Sequence, residues 1–376
     1  MLCLASCEER SLLPGDDDGI EFGDGDGDGD DDSGDGDGDL AEGDGDLGDG
    51  DGDPGIECVP IVTGDLVITD ETPSEAITCV EQVLGDLTIG PTTQLVNLDA
   101  LSSLRHVDGT AYIVGNLSLI TVSGLDALEQ VEWLHIRRNR NLSDLHGLGG
   151  LTEVERITIN NNDGMTSLAG LPDGLAPSKL EVADNQLLAS LDGLPSFTVP
   201  QGGDALQVEI DDNPSLIDLG GLSDCCAEQA LSLTVEDNEK LPDLGGLESF
   251  ARLESLRLYD NVALASLDGL DNLVEVRTLD IAFDHCEPDH EATLDDLLGA
   301  PNLAEIDVLQ IQWIDSLTSL DGLAGVNDLT KLQIRNNAAL PWDDVLELAT
   351  LTGPLVLDAC GGVDGPECPD EPCSTF

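Results

Sequence analysis

Metal-ligating residue types crowd one short segment of the sequence, residues 284–291. Four of its side chains are of the types that Zn²⁺ prefers in a tetrahedral set: His285, Cys286, Asp289 and His290. A zincin helix would need a second histidine four residues after His290, and Leu294 stands there instead. We therefore expect a hydrophilic surface loop in which Cys286 is disulfide-bonded, with a Zn²⁺ site as the alternative.

Other catalytic signatures are absent from the sequence. It contains neither the G-x-S-x-G motif of serine hydrolases nor the G-x-x-x-x-G-K-[ST] loop that binds phosphates. The 78 acidic residues offer many carboxylate pairs for glycoside hydrolysis, and the sequence singles out none of them. We therefore expect a non-enzymatic protein, with a β-helical polysaccharide-active enzyme as the alternative.

A calcium-binding pattern occurs inside a Gly-Asp run near the start of the chain. Asp31, Asp35 and Glu42 take ligand positions of a twelve-residue calcium loop, with Gly36 at the turn. Where every second residue is Asp, such a match arises without selection, and no amphipathic helix flanks it. We expect weak, diffuse Ca²⁺ binding at most and no cofactor. A structural, Ca²⁺-responsive surface protein is a further alternative.

Acidic residues dominate the composition. The 376 residues include 78 acids and 13 bases, for a formal net charge of −65, which repels nucleic acid and anionic membranes. Nucleic acid is therefore excluded as a partner. Residues 8–57 hold 22 acids and one arginine. This segment has little apolar surface to bury and repels itself, so we expect a disordered, extended linker.

The first seven residues end in Leu4-Ala5-Ser6-Cys7, which is similar to a bacterial lipobox, whose cysteine receives a lipid. A complete signal peptide has basic and apolar regions before this point, and only a few residues precede it here. Either the match is chance or residues 1–7 are a truncated signal. We expect the second, with lipidation at Cys7 and a membrane contact through the lipid alone. The expected location is the bacterial outer membrane or cell surface, and secretion is the alternative.

A repeat of 23 to 30 residues fills the chain beyond residue 58. It reads x-L-x-I-x-x-N-x-x-L-x-x-L-x-G-L-x-x-L over residues 133–151. The asparagine position is filled by Asn116, Asn139, Asn162, Asn185, Asn213, Asn238, Asn261 and Asn337, with Asp284, Ile314 and Cys360 in the remaining slots. Such a repeat predicts a solenoid, whose coils bury a core only by stacking. We expect a mainly β, right-handed leucine-rich-repeat or β-helix-like solenoid of about twelve coils with one parallel sheet over residues 58–360.

Alternating apolar pairs, such as Leu134 and Ile136, predict one short strand in each coil with these side chains inward. We expect the strands to centre near residues 67, 88, 112, 135, 158, 181, 209, 234, 257, 280, 310, 333 and 356. The asparagines are expected to bond to backbone groups at the bend and to the asparagine of the adjacent coil. Glycines such as Gly147 are expected to turn the chain tightly.

Residues 64–68, 85–89 and 107–113 resemble the I-x-G-x-L-x-I opening of the receptor L domain, the leucine-rich ligand-binding module of the insulin and epidermal growth factor receptors. The later coils resemble degenerate leucine-rich repeats of bacterial surface proteins, including those of myxobacteria. Over residues 58–360 the resemblance implies a ligand-binding, lipid-anchored surface protein. The next leucine follows the asparagine by three residues, not the usual two, so long helices are not expected. About twelve coils exceed one L domain, so the receptors' ligand residues do not carry over.

Eight cysteines follow the linker, an even number that suits an exported, oxidised protein: Cys58, Cys79, Cys225, Cys226, Cys286, Cys360, Cys368 and Cys373. Cys58 and Cys79 lie one coil apart, where a disulfide would seal one end of the core. Three cysteines crowd the other end, which residues 361–376 are expected to cap. We favour a vicinal Cys225–Cys226 disulfide, with Cys286 joined to a C-terminal cysteine.

Outward strand positions form the surface through which solenoids usually bind partners. Nine of the 13 basic residues lie on or beside this strand face. They either neutralise acids of neighbouring strands or form a recognition surface with aromatic stacking platforms, Tyr112 and Trp313 among them. We predict a binding site for a cell-surface protein or polysaccharide at Trp133, His135, Arg137, Arg138, Arg156 and Tyr259. The three arginines are expected to be exposed and unpaired, and Arg257 to be paired with Glu236 and Asp280.

Overall fold

The computed structural model describes residues 58–198, 205–226, 230–283 and 292–368. Some sequence predictions lie outside these residues and stay predictions: those on Cys7, Asp31, Asp35, Glu42, the linker 8–57, the segment 284–291 with Cys286, and Cys373. No helix in the described part of the chain is long and apolar enough to span a membrane.

The described chain is mainly β, as predicted, and forms a solenoid of about twelve turns around one parallel sheet. The strands of this sheet are Ile61–Val62 (β1), Leu66–Ile68 (β2), Gln82–Val83 (β3), Leu87–Ile89 (β4), His106–Val114 (β5), Gln130–Arg137 (β6), Glu153–Asn160 (β7), Lys179–Ala183 (β8), Leu206–Asp211 (β9), Leu231–Glu236 (β10), Arg252–Tyr259 (β11), Glu275–Ala282 (β12), Glu305–Gln312 (β13), Lys331–Arg335 (β14) and Val356–Cys360 (β15). All thirteen predicted strand centres fall within these strands.

Two lines of pairing run through the first coils. The strands β1 and β3 form one line, and β2 and β4 form the other. The longer strand β5 joins both, because its start pairs with β3 and its end pairs with β4, with a register shift between Val107 and Thr110. From β6 onwards one strand serves each coil, so the sequence repeat is also the structural repeat.

Apolar residues fill the interior in two rows. Leu134 and Ile136 of β6 are completely buried and pair in register with Ile157 and Ile159 of β7, so the predicted inward face is correct. The leucines at every third position of the return segment, such as Leu142, are equally buried. Burying such a side chain contributes about 1.5–3 kcal/mol, and each coil supplies several of them.

A ladder of buried asparagines joins the coils, as predicted. The Asn139 side-chain amide donates to the Ile113 carbonyl at 2.7 Å, and the Asn139 backbone N–H donates to Asn162 Oδ1 at 3.0 Å. The same backbone-to-side-chain bond recurs in six consecutive coils, from Asn116 to Asn238. Because these groups are buried, each asparagine satisfies backbone atoms that water does not reach.

The residue before each ladder asparagine has a left-handed backbone. Asn, Asp and Gly tolerate this conformation best, and most coils have one of them there: Gly115, Asn161, Asp184, Asp212, Asp237, Asp260 and Asn336. Two bulkier residues also adopt it among the described coils, Arg138 at φ 57° and Trp313 at φ 62°. A left-handed backbone at a residue of this size is a local strain.

Glycine is needed where successive coils approach closely. Gly147 has a φ of 120°, and a Cβ atom placed there would lie 2.4 Å from the Val122 carbonyl oxygen of the preceding coil. No side chain fits into this space without moving the backbone. The predicted tight turn at Gly147 is therefore also a close contact between neighbouring return segments.

The last complete coil departs from the sequence predictions. It contains an eleven-residue helix, Trp342–Thr352 (α3), although long helices were not expected; the helices Ser74–Ile77 (α1) and Leu222–Cys226 (α2) are short. The helix lengthens this coil, so Cys360 pairs in register with Arg335 at the end of a strand. The assignment of Cys360 to an asparagine slot is therefore wrong, and residue 356 begins its strand instead of centring it.

Three disulfides occur within the described residues. Cys58 bonds to Cys79 at the first coil, with a Cα–Cα distance of 5.8 Å. Cys225 bonds to its neighbour Cys226 in α2, and Cys360 of β15 bonds to Cys368. The first two are the pairs that the sequence analysis favoured. The third ties the chain beyond the sheet to the last strand.

Candidate functional site

Three aromatic rings gather on the strand face where β5 and β6 pair. Trp133 and His135 alternate with the inward Leu134, so both point outward, and their rings stack at 5.0 Å with an interplanar angle of 12°. Tyr112 of β5 lies 5.6 Å from His135 and 6.3 Å from Trp133. The Trp133 indole N–H also donates to the Thr158 hydroxyl at 3.1 Å. The indole plane is therefore held by contacts from three strands.

His135 lies beneath this cluster. Only 8% of its surface is exposed, because the Trp133 and Tyr112 rings cover it. Although His135 was predicted to bind ligand, its position suits it to support the indole, while Trp133 and Tyr112 are only half-buried.

The three predicted arginines surround these rings. Arg156 of β7 pairs in register with Trp133, Arg137 ends β6, and Arg138 follows it. Arg138 and Arg156 are exposed, and neither forms an ion pair or a side-chain hydrogen bond within the described residues. Arg137 is half-buried and its Nε atom has no hydrogen-bond partner there. We call Tyr112, Trp133, His135, Arg137, Arg138 and Arg156 the arginine patch.

Beside the arginine patch is a groove with a volume of about 1080 Å³. It lies where β6 and β7 extend further toward their first residues than β8 does. Charged and polar side chains line much of it: Glu132, Glu153, Glu155, Arg156, Lys179 and Gln207. Arg156 therefore borders both the strand face and the groove, whereas the other charges of the groove wall are mostly acidic.

Beyond β7 the strand face becomes acidic. This acidic centre consists of Glu181, Asp184, Glu209, Asp211, Asp212 and Glu236, on or directly after β8, β9 and β10. Lys179 bridges two of these acids, with Nζ–O distances of 3.2 Å to Glu181 and 2.7 Å to Glu209. Burial opposes the charge of Lys179, but its bond to Glu209 and the nearby Glu181 outweigh that and raise its pKa.

Burial, together with the crowding of acids, raises the pKa values of two carboxyl groups in the acidic centre. Burial, and then the charge of Glu236, raises the pKa of Asp211 to about 8. Burial and a hydrogen bond with Asp212 raise the pKa of Asp184 to about 6, and the positive charge of Arg137 opposes this rise. Arg137 thus interacts electrostatically with Asp184, so its predicted isolation is incomplete. Asp211 holds a proton near neutral pH.

Tyr259 belongs to a different part of the strand face. It lies on β11, five strands from Trp133, which is about 24 Å at the usual strand spacing. Its hydroxyl donates to Asp280 Oδ2 at 2.7 Å, and Gln310 Nε2 donates to the same oxygen at 2.8 Å. The structure therefore does not bring Tyr259 together with the other predicted site residues.

The expected pairing of Arg257 is wrong. Within the described residues, no ion pair joins it to Glu236 or Asp280, and its side chain is exposed. Asp280 is buried and accepts its hydrogen bonds from Tyr259 and Gln310 instead. A neutral hydroxyl and an amide therefore take the place that the sequence analysis gave to the arginine.

Most basic residues outside the arginine patch neutralise acids of neighbouring strands, which is the first of the two predicted roles. Ion pairs with acids of a neighbouring coil involve Arg105 with Glu129, Arg252 with Glu275, Arg277 with Glu254, and Arg335 with Asp358. These pairs explain their placement without a ligand. The exposed arginines of the patch have no such explanation among the residues that the structure describes.

Two residues at the site were not among the predicted site residues: Tyr112 of the arginine patch, noted only as a stacking platform, and Thr158 beside the patch, which accepts the hydrogen bond of the Trp133 indole. Thr158 aligns with His135 in the repeat, so the spacing placed it beside the rings, but nothing in the sequence shows a hydrogen bond to an indole.

Across the described ranges, no three His, Cys, Asp or Glu side chains are grouped so that they could hold a metal ion.

The arrangement of the patch suits binding more than chemistry. Guanidinium groups donate several hydrogen bonds to carboxylates, and fixed aromatic faces offer flat apolar contacts.

No family model matches the sequence, and no curated protein matches it.

Proposed function

We propose that this protein is a non-enzymatic binding protein displayed on a bacterial cell surface, which recognises a polysaccharide or protein through its strand face. The observation that carries the proposal is the arginine patch. In a chain with a net charge of −65, exposed arginines stand beside ordered aromatic rings, without an ion pair in the described coils. The lipobox-like segment at Cys7 and the resemblance to receptor L domains support surface display and ligand binding.

Unpaired surface arginines contribute little to folding, so their clustering needs another reason. An exposed charge without a partner changes stability by no more than about 0.5 kcal/mol. Arginine and aromatic residues are also the types that dominate the energy of binding surfaces. Recognition of an anionic or partly anionic partner therefore accounts for the arginine patch better than stability does.

A binding comparison between two triple variants tests the proposal. The full chain carrying Arg137→Ser, Arg138→Ser and Arg156→Ser should lose attachment to bacterial cells and to glycan arrays, while its melting temperature stays nearly unchanged. The matched control carries Arg105→Ser, Arg252→Ser and Arg277→Ser, which removes the same charge from ion-paired positions. Equal loss of attachment in both variants would show that the effect comes from net charge alone. No loss of attachment in the first variant would refute the proposal.

One observation favours the alternative of a polysaccharide-active enzyme. Asp211, with a pKa raised to about 8 by burial and by Glu236, keeps a protonated carboxyl beside ionised ones. Glycoside hydrolases use such a pair as acid and as base or nucleophile. Release of new reducing ends from a bound polysaccharide, abolished by Asp211→Asn, would establish this alternative. Binding without any release supports the recognition function.

A further inference from the structure

We infer that the arginine patch binds one isolated acidic sugar within an otherwise neutral glycan. This inference rests on the proposed function and specifies its ligand class. It follows from the charges that border the patch, the neutral surface on its other side, the fixed aromatic rings and the strained backbone of Arg138.

Acids limit how much negative charge a ligand can bring. β8, the strand next to Arg156, carries Glu181, and β9, the strand after it, carries Glu209; these two carboxylates share the single positive charge of Lys179 and keep a net negative charge. At a spacing of about 4.8 Å per strand, these acids begin within about 5 to 10 Å of the Arg156 strand. The groove beside Arg156 adds Glu132, Glu153 and Glu155. A ligand with a charge on every sugar would place its next charges over these acids and be repelled.

Toward the first coil, the line of outward positions that continues from His135 is uncharged. Those in register with the patch are Val67 of β2, Thr88 of β4 and Tyr112 of β5. Of the acids there, Asp65 and Asp86 accept backbone hydrogen bonds from the next coil at 3.0 and 2.8 Å, and Asp108 of β5 lies in the groove wall and accepts from Gln82 Nε2 at 3.1 Å. The part of the ligand that lies over these coils is therefore neutral, and its single acid meets the arginines.

The aromatic rings favour a sugar over a peptide. Trp133 is fixed by its stack on His135 and its bond to Thr158, so it offers a flat apolar face with little ordering on binding. Its strand is paired on both sides, with β5 and β7, so no free strand edge is available to pair with a peptide backbone. A sugar ring that stacks its face on the Trp133 indole needs no free strand edge.

Arg138 provides a second, independent indication that these side chains are used. It has a left-handed backbone, with a φ of 57°, at a position where most coils have Gly, Asn or Asp and where Trp313 is the other bulky residue. Strained backbone that persists in a regular repeat is characteristic of ligand sites. The strain would be relieved by asparagine, which occupies the same position in the next coil as Asn161. The arginine is therefore explained by what its side chain contacts in the complex.

Calorimetric titration with three matched tetrasaccharides tests the inference. They are a neutral glucan tetramer, the same tetramer ending in one glucuronic acid, and a tetramer of glucuronic acid only. The full chain should bind the singly acidic tetramer at least about tenfold more tightly than either of the others, as expected for one added charge-assisted pair without repulsion. Arg156→Ser should abolish this preference, Trp133→Ala should weaken binding of the neutral and the singly acidic tetramers, and Arg277→Ser should change neither.

The outcomes separate this inference from the proposed function. Equal or tighter binding of the fully acidic tetramer would overturn the inference and leave the recognition function intact. Absence of binding to all three, while the patch variants still lose attachment to cells, would also overturn it and indicate a protein partner. If no tetramer binds and the patch variants attach to cells normally, both proposals fail.

Discussion

The arginine patch and the acidic centre lie side by side on one sheet and have opposite charge. β6 and β7, which carry most of the patch, pair in register with each other, and β8 to β10 continue the same register. The buried asparagines run through both regions with the same hydrogen bonds. Only the outward side chains differ. In this solenoid the interior therefore fixes the coil, and the outward positions vary without disturbing it.

The two regions also differ in how their charges are compensated. In the acidic centre, burial holds a proton on Asp211 near neutral pH, and Lys179 bridges Glu181 and Glu209. In the patch, Arg138 and Arg156 are exposed and, within the described chain, have no ion pair. The acidic centre is thus internally compensated, whereas the arginine patch keeps charge available for a ligand.

The largest loss of stability is expected on replacing a buried asparagine of the ladder, which is the feature that the two regions share. Asn162→Ala, in the patch coils, removes a side chain that accepts from the Asn139 backbone N–H and donates to the Ile136 carbonyl. Leaving both groups buried and unpaired should lower the free energy of unfolding by about 3–5 kcal/mol. Asn238→Ala, in the acidic coils, should cost the same, because Asn238 makes the equivalent bonds. Urea denaturation measures both.

The exposed Asn327 lies outside the ladder and provides the control, since Asn327→Ala should change stability very little. If the two ladder variants differ by more than a kilocalorie, on the order of the spread expected for such substitutions, the two regions do not share one framework. If neither is destabilised, the asparagine ladder is not what holds the coils together.

The ladder is also where prediction from the sequence succeeded, because a feature that recurs in every coil is visible as a repeat. The strands, the inward Leu134 and Ile136 and the asparagine bonds all followed from spacing. A feature that occurs in one coil leaves no periodic signal. α3 and the shifted register of Cys360 were missed for this reason.

The candidate site was predicted in part, because spacing places residues on neighbouring strands but does not choose their partners. The repeat brought Trp133 beside Arg156, and the structure pairs them in register. It did not show that Tyr259 would bond to Asp280 and so exclude Arg257, because that depends on side-chain conformations. The burial of His135 under two rings was missed for the same reason, because it also depends on side-chain conformations.

A smaller, pH-dependent effect on the free energy of unfolding should distinguish the acidic centre from the patch. Burial and Glu236 raise the pKa of Asp211 to about 8, from an ordinary value of 3.8. The stability that Asp211 contributes is therefore fully present below about pH 4 and is lost as the pH rises through 8. After allowance for solvent screening, we expect the free energy of unfolding to fall by about 2 kcal/mol between pH 5 and pH 9 on account of this residue.

Asp211→Asn should remove that decline and stabilise the protein at pH 9, as thermal melts at each pH would show. The exposed acid Asp271 gives the matched control, since Asp271→Asn should leave the pH dependence as it is. An unchanged decline in the Asp211 variant would mean that the acidic centre is not compensated by a proton on this residue.

The smallest effect is expected at Arg138 and has the opposite sign. Arg138→Asn places a residue that tolerates a φ of 57° where arginine is strained, so it should raise the free energy of unfolding by about 0.5 kcal/mol. The exposed Arg156 has an ordinary strand backbone, so Arg156→Ser should leave stability within about 0.5 kcal/mol of the original. Both changes should weaken attachment to cells. A variant that is more stable yet binds less well separates the two roles of a side chain, because a residue kept for folding cannot give that combination. If Arg138→Asn instead destabilises the protein and binds normally, the arginine is structural, and the contrast between a compensated acidic centre and an available basic patch does not hold at this position.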